Sequence, residues 1–117
     1  DDPKLFELQA DICQTLANPK RLQILCLLKE GEMSVAAMGE ALGIAKPNLS
    51  QHLAIMRQKG ILTARREGTT VYYRLATPRI VEACKIMRQV LYDALVERGA
   101  LAAQSATAAE PLEEVAA

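Results

Sequence analysis

The chain has 117 residues, half of them apolar, and its 14 basic side chains are balanced by 14 acidic ones. This length suits one small domain with a hydrophobic core and is too short for two. The zero net charge argues against a generally basic protein, and no apolar run approaches the roughly 18 residues of a membrane span.

The ends and the cysteines predict the compartment. The beginning, DDPKLFEL, is acidic and lacks the apolar segment of a secretory signal. Three cysteines, Cys13, Cys26 and Cys84, are odd in number and far apart, unlike the disulfide framework of a secreted domain. A cytoplasmic location without membrane attachment is therefore predicted.

Helix boundaries are marked by capping residues and glycines. Asp2, Asn18 and Thr77 each precede a proline, the pairing of a side-chain N-cap with proline at the first helical position, and Ser34 is a further cap. Glycines stand where helices should stop. These signals predict five helices, over about 3–17, 19–29, 34–42, 46–59 and 78–98.

A β-hairpin is predicted between Gly60 and Thr77. The runs ILTARR and TTVYYRL are rich in β-branched and aromatic residues, with Glu67-Gly68 between them. The element order is ααααββα, and the third and fourth helices, joined by GIA, form a helix-turn-helix. The fold class is mainly α, a winged helix over residues 1–99, followed by an Ala-rich acidic tail over 100–117 that is predicted to be mobile.

The fourth helix has an unusual polar face. Leu49, Leu53 and Met56 recur at helical spacing and are predicted to pack inward. The other side is rich in amides and contains no acid, although solvated helix faces usually carry Glu. An amide pairs with an adenine edge, whereas a carboxylate would be repelled by phosphates.

The charge distribution supports a nucleic-acid surface. From Lys46 to Arg79 there are seven basic residues and one acid, Glu67. His52 lies nearer the packed edge of its helix, where it either contacts phosphate or is a boundary residue. The predicted DNA contacts are Lys46, Asn48, Ser50, Gln51, His52, Arg57, Arg65, Arg66, Thr69 and Thr70.

Three segments together are similar to the ArsR/SmtB family of bacterial winged-helix repressors. They are ANPKRLQILCLLKEGEMSV, GIAKPNLSQHLAIMRQKGIL and TARREGTTVYYRL, and the similarity covers about residues 5–95. The resemblance implies a homodimer that binds an inverted-repeat operator in double-stranded DNA and that an inducer releases. The family's recognition helix corresponds to residues 46–59 and its wing to residues 64–73.

A dimer is also indicated by the terminal helices. The last helix has an apolar stripe that includes Cys84, Met87 and Leu91, and a second that includes Val90. The first helix has a similarly wide apolar surface. A monomer of this size buries one face of such a helix, so a partner helix is predicted, the alternative being a wider monomer core.

The chain departs from the family's metal-sensing patterns. Ser34-Val35-Ala36 stands where one branch has Cys-x-Cys, and the positions of a second metal site hold Thr77, Arg79, Val90 and Asp93. No metal and no cofactor are therefore predicted. In a third branch, which senses reactive sulfur or oxidants, Cys26 matches the first cysteine, but the second falls near Tyr92.

Three readings of the cysteines remain open: buried packing residues, a thiol switch, or a site for a thiophilic metalloid, formed by Cys13, Cys26 and Cys84. The predicted function is a DNA-binding transcriptional repressor with an unknown inducer. The alternative is a winged-helix module that binds protein and not DNA. A thiol enzyme is disfavoured, because the sequence shows no base paired with a cysteine.

Overall fold

The computed structural model describes residues 2–99, and the predicted tail over 100–117 lies outside them. The chain folds as two units, a first that ends at Thr77 and a second that begins at Pro78. The helices are α1 (Pro3–Thr15), α2 (Pro19–Leu27), α3 (Val35–Leu42), α4 (Lys46–Gln58) and α5 (Arg79–Glu97), with a short 3-10 turn over Leu28–Glu30. The strands are β1 (Met33–Ser34), β2 (Leu62–Glu67) and β3 (Thr70–Leu75).

Side-chain caps begin α1, α2 and α3, as predicted. Asp2 accepts a hydrogen bond from the Lys4 amide at 2.9 Å, and Asn18 accepts one from the Lys20 amide at 2.9 Å. Ser34 Oγ accepts from the Ala37 amide at 3.1 Å. These bonds satisfy amides that have no partner within their own helix.

The predicted cap at Thr77 is wrong. Pro78, not Thr77, is the residue that precedes α5, and no side chain caps this helix. The Val81 amide instead donates to the Pro78 carbonyl at 3.1 Å, so the backbone closes the first turn and the helix begins one residue later than expected.

The sheet has three antiparallel strands in the order β1-β3-β2. The hairpin β2–β3 was predicted, and its two-residue loop begins at Gly68, whose φ of +63° suits glycine. β1 was not predicted, because two residues are too short to show an alternating pattern. It exists through the pairing of Met33 with Tyr73 and of Ser34 with Tyr72.

The core of the first unit packs α2, α3 and α4 against the sheet. Leu49, Leu53 and Met56 of α4 are fully buried, which confirms the inward face predicted for that helix. The turn between α3 and α4 contains Gly43 in the left-handed conformation, and the Ile44 amide donates to the Gly39 carbonyl at 3.3 Å. The other core residues are Ile24, Leu25, Leu28, Met38, Ile61, Leu62, Tyr73 and Leu75.

The helix α5 makes up the described part of the second unit, and none of its residues is buried. Met87 is 69% exposed and Leu91 is 49% exposed, and Ile86 and Val90 are likewise exposed. In the first unit α1 also leaves apolar side chains uncovered, with Phe6 57% exposed. Each helix thus has an apolar surface that the described chain does not cover.

Candidate nucleic-acid interface

The exposed face of α4 carries polar and basic side chains together with Pro47 and Ala54, and no acid. Leu49, Leu53 and Met56 hold the opposite face of the helix in the core. No acid lies in the first turn, and no side chain caps the helix, so its first amides are not occupied by a carboxylate. The exposed residues predicted to bind DNA are Lys46, Asn48, Ser50, Gln51 and Arg57.

His52 lies at the edge of this face and is half-buried. Its Nδ1 accepts a hydrogen bond from Arg21 Nε of α2 at 3.1 Å. Burial, and secondarily the positive charge of Arg21, lower the pKa of His52 below its ordinary value. The imidazole is therefore neutral at physiological pH, and one of its two nitrogens already has a partner.

Arg21 also reaches the end of α1. Its Nη1 donates to the Thr15 carbonyl at 3.0 Å, one of the terminal carbonyls that no helical amide can satisfy. A second contact ties α1 to the end of α4, since Lys59, just after α4, forms an ion pair with Asp11 at 3.0 Å. Arg21 was not among the predicted site residues, because no sequence pattern links it to His52, which lies 31 positions away in the chain.

Arg65 of the hairpin is surrounded by partners within the chain. Its Nε lies 3.0 Å from each carboxylate oxygen of Glu32, and its Nη1 lies 2.8 Å from Glu67. The guanidinium also stands over the ring of Tyr72, 4.4 Å from the centroid. The hydrogen bond from Arg65 lowers the pKa of Glu32, so this carboxylate stays charged. Two acids thus offset the positive charge of a predicted phosphate contact.

Arg66 is placed differently. Successive side chains of a strand point to opposite faces, so Arg65 and Arg66 lie on opposite faces of the hairpin. Arg66 is exposed, and within the described residues no acid lies within ion-pair distance of it. Thr69 is exposed in the hairpin loop, and Thr70 is half-buried beside it. The structure therefore separates two arginines that were both predicted to contact DNA.

The cysteines differ in exposure. Cys13 on α1 is exposed, whereas Cys26 on α2 and Cys84 on α5 are partly buried. Over residues 2–99, no cluster of three or more Cys, His, Asp or Glu side chains is arranged to hold a metal ion. Likewise, none of the helices described is long and apolar enough to cross a membrane.

The helix-turn-helix formed by α3 and α4, followed by the hairpin β2–β3, defines a winged helix-turn-helix protein. The family model described as bacterial regulatory protein, arsR family, matches residues 18–64. The regulator Rv0081 of Mycobacterium tuberculosis, described as uncharacterized and HTH-type, is 39% identical over 98 residues, covering 83% of this chain and 86% of the relative. The chain belongs to the ArsR family of bacterial transcriptional regulators.

Other relatives give the same result. The biofilm growth-associated repressor of Agrobacterium fabrum is 43% identical over 77 residues, covering 63% of this chain and 66% of the relative. A solution structure has been determined of Mb0332 from Mycobacterium bovis, described as a homodimeric winged helix-turn-helix DNA-binding domain. Its sequence is 37% identical to this chain, and the two structures match with a TM-score of 0.69 over 84% of this chain and 92% of Mb0332. The resemblance seen in the sequence is thereby confirmed, together with the predicted fold class.

Proposed function

We propose that the protein is a cytoplasmic transcriptional repressor that binds double-stranded DNA through α4 and the hairpin. The observation that carries the proposal is the exposed face of α4, which is rich in amides and free of acids, opposite a face that is fully buried. Such a helix suits the major groove, where side-chain amides read base edges and helix amides meet phosphate. Repression is favoured by the name of the Agrobacterium relative.

The second part of the proposal is a homodimer. The uncovered apolar residues of α1 and α5 favour a second copy of the chain, and the Mb0332 domain is described as homodimeric. Two identical reading helices would match an inverted repeat whose half-sites lie about 34–36 Å apart, one turn of the duplex.

The test is to capture and sequence the genomic DNA fragments that the full chain retains, and then to measure expression from the adjacent promoter. We expect one or a few sites with inverted symmetry and higher expression in a strain that lacks the protein. Retention of random fragments would contradict operator recognition, and lower expression in that strain would indicate an activator. If no DNA is retained at any salt concentration, the alternative of a protein-binding module takes its place.

For the inducer, we propose a thiol switch in which Cys26 acts with Cys84 and Cys13. The match of Cys26 to a sensing position of the family supports it, as does the exposure of Cys13 on a helix assigned to the dimer. Gel-shift titrations with polysulfide or peroxide should release DNA from the parent and not from the responsible Cys→Ser variant, and zinc should release no DNA. Release by arsenite alone would indicate a site for a metalloid instead. If every variant responds as the parent does, the cysteines are packing residues and do not sense the inducer.

A further inference from the structure

The side chain of Arg21 joins three helices. Its backbone amide donates to the capping Asn18 at 3.2 Å, in the first turn of α2. Its guanidinium donates through Nη1 to Thr15 at the end of α1 and through Nε to His52 on α4. Because the guanidinium is planar and rigid, two bonds in different directions fix its position. One side chain thus ties α4 to the end of α1.

The bond to His52 also determines which nitrogen carries the proton. An arginine guanidinium is always protonated and can only donate. His52 Nδ1 must therefore be the acceptor, and in a neutral imidazole the single proton then lies on Nε2. Among residues 2–99, no group forms a hydrogen bond with Nε2, so this N–H is available as a donor at the edge of the reading face.

We infer that Arg21 is a positioning residue for DNA recognition, which holds His52 as a donor through Nε2 toward a phosphate oxygen. The inference deepens the proposed function and rests on it for the DNA contact. It differs from a purely structural role, because a structural bond between Arg21 and His52 would not require Nε2 to contact DNA. Only a positioning role makes the losses of DNA affinity in the two single variants coincide.

The tautomer is measured without DNA by long-range proton–nitrogen NMR on the full chain. His52 is the only histidine, so its signals need no assignment by mutation. We expect Nδ1 to be unprotonated and Nε2 protonated in the parent, and a mixture of tautomers in Arg21→Ala. The matched control is Lys20→Ala, which removes one positive charge from the exposed neighbouring side chain and should leave the tautomer unchanged. A proton on Nδ1 in the parent, or the parent's tautomer retained in Arg21→Ala, overturns the inference.

The DNA contact is tested with Arg21→Ala, His52→Ala and the double variant, on the genomic duplex that the parent retains. Each single change should weaken binding about fivefold, and the double change should weaken it no further, since both remove the same contact. Losses that multiply would show that the two side chains act independently and would overturn the positioning role. Circular dichroism checks folding, and Arg21→Lys, which cannot reach both partners, replaces Arg21→Ala if that variant unfolds.

The two proposals fail separately. If the parent retains no duplex at all, the proposed function fails, while the NMR measurement still decides whether Arg21 sets the tautomer. If the parent binds its operator and the tautomer is as expected, but His52→Ala binds as the parent does, the contact to phosphate is excluded.

Discussion

Arg65 and Glu32 are separated by 33 residues in the chain, yet Arg65 Nε lies 3.0 Å from both oxygens of the Glu32 carboxylate. Glu32 stands immediately before β1, and Arg65 lies in β2, so the pair bridges the two outer strands of the sheet. Glu67 and Tyr72 complete the surroundings of the guanidinium. This arrangement suggests that Arg65 shapes the hairpin, whereas Arg66, on the other face, is available for phosphate.

The two arginines should therefore respond differently to mutation. Arg66→Ala is expected to weaken binding to all duplexes. It should also reduce the slope of the logarithm of the binding constant against the logarithm of the salt concentration by about 0.9, the value for one lost phosphate contact. Arg65→Ala should leave the slope nearly unchanged, because two acids already offset its charge. Fluorescence anisotropy across a salt series measures both. Equal slopes for Arg66→Ala and the parent would exclude Arg66 from the interface.

Glu32→Gln provides the complementary test. Removing this carboxylate frees part of the Arg65 charge, so affinity for any duplex should rise and the salt dependence should become steeper. Glu30→Gln is a matched control, because Glu30 is an exposed acid nearby that forms no ion pair within residues 2–99. A rise of the same size in both variants would mean that net charge, and not the release of Arg65, is responsible.

Base reading by α4 predicts a selective loss. Gln51→Ala should weaken operator binding by about 1–3 kcal/mol and change binding to random duplex far less, since a base contact is lost and the phosphate contacts remain. Gln23→Ala, which removes an exposed amide from α2, is the matched control and should have no effect. Equal losses on operator and random DNA would place Gln51 at the backbone or outside the interface.

The features that the sequence predicted well are local ones. Asp2, Asn18 and Ser34 cap helices whose first residues follow directly, and Leu49, Leu53 and Met56 are buried because their spacing puts them on one face. The sequence patterns did not predict the contacts between residues that are far apart in the chain. The bonds between Arg21 and His52 and between Arg65 and Glu32 join residues 31 and 33 positions apart, and no periodicity signals them.

The separation of Arg65 from Arg66 was missed for a related reason. Alternation along β2 already places neighbouring residues on opposite faces, but the sequence does not show that Glu32 reaches one of them. Charge counts along the chain therefore overstated the positive charge available at the hairpin.

β1 was missed because its two residues become a strand only through pairing with Tyr73 and Tyr72.

The dimer is tested through α5. Leu91→Asp should separate the protomers and abolish tight operator binding, because burying an unpaired carboxylate costs several kcal/mol. Lys85→Glu on the same helix is a stringent control, since it changes the charge by more but at an exposed polar position. Sedimentation equilibrium gives the mass of each variant. A parent protein that is monomeric at micromolar concentration would contradict the predicted homodimer.

The pH dependence of stability follows from His52. The pKa of His52 is lowered in the folded chain, mainly by burial and to a smaller extent by the positive charge of Arg21. His52 therefore binds a proton more readily in the unfolded chain than in the folded one. The contribution to stability is therefore complete above the ordinary histidine pKa of about 6.5 and is lost as pH falls toward the lower, folded value. Urea unfolding at pH 7.5 and pH 5.5 should show a lower free energy of unfolding at the acidic pH. His52→Gln, which stays neutral, should reduce that difference, and an undiminished difference would assign the acid sensitivity to other groups.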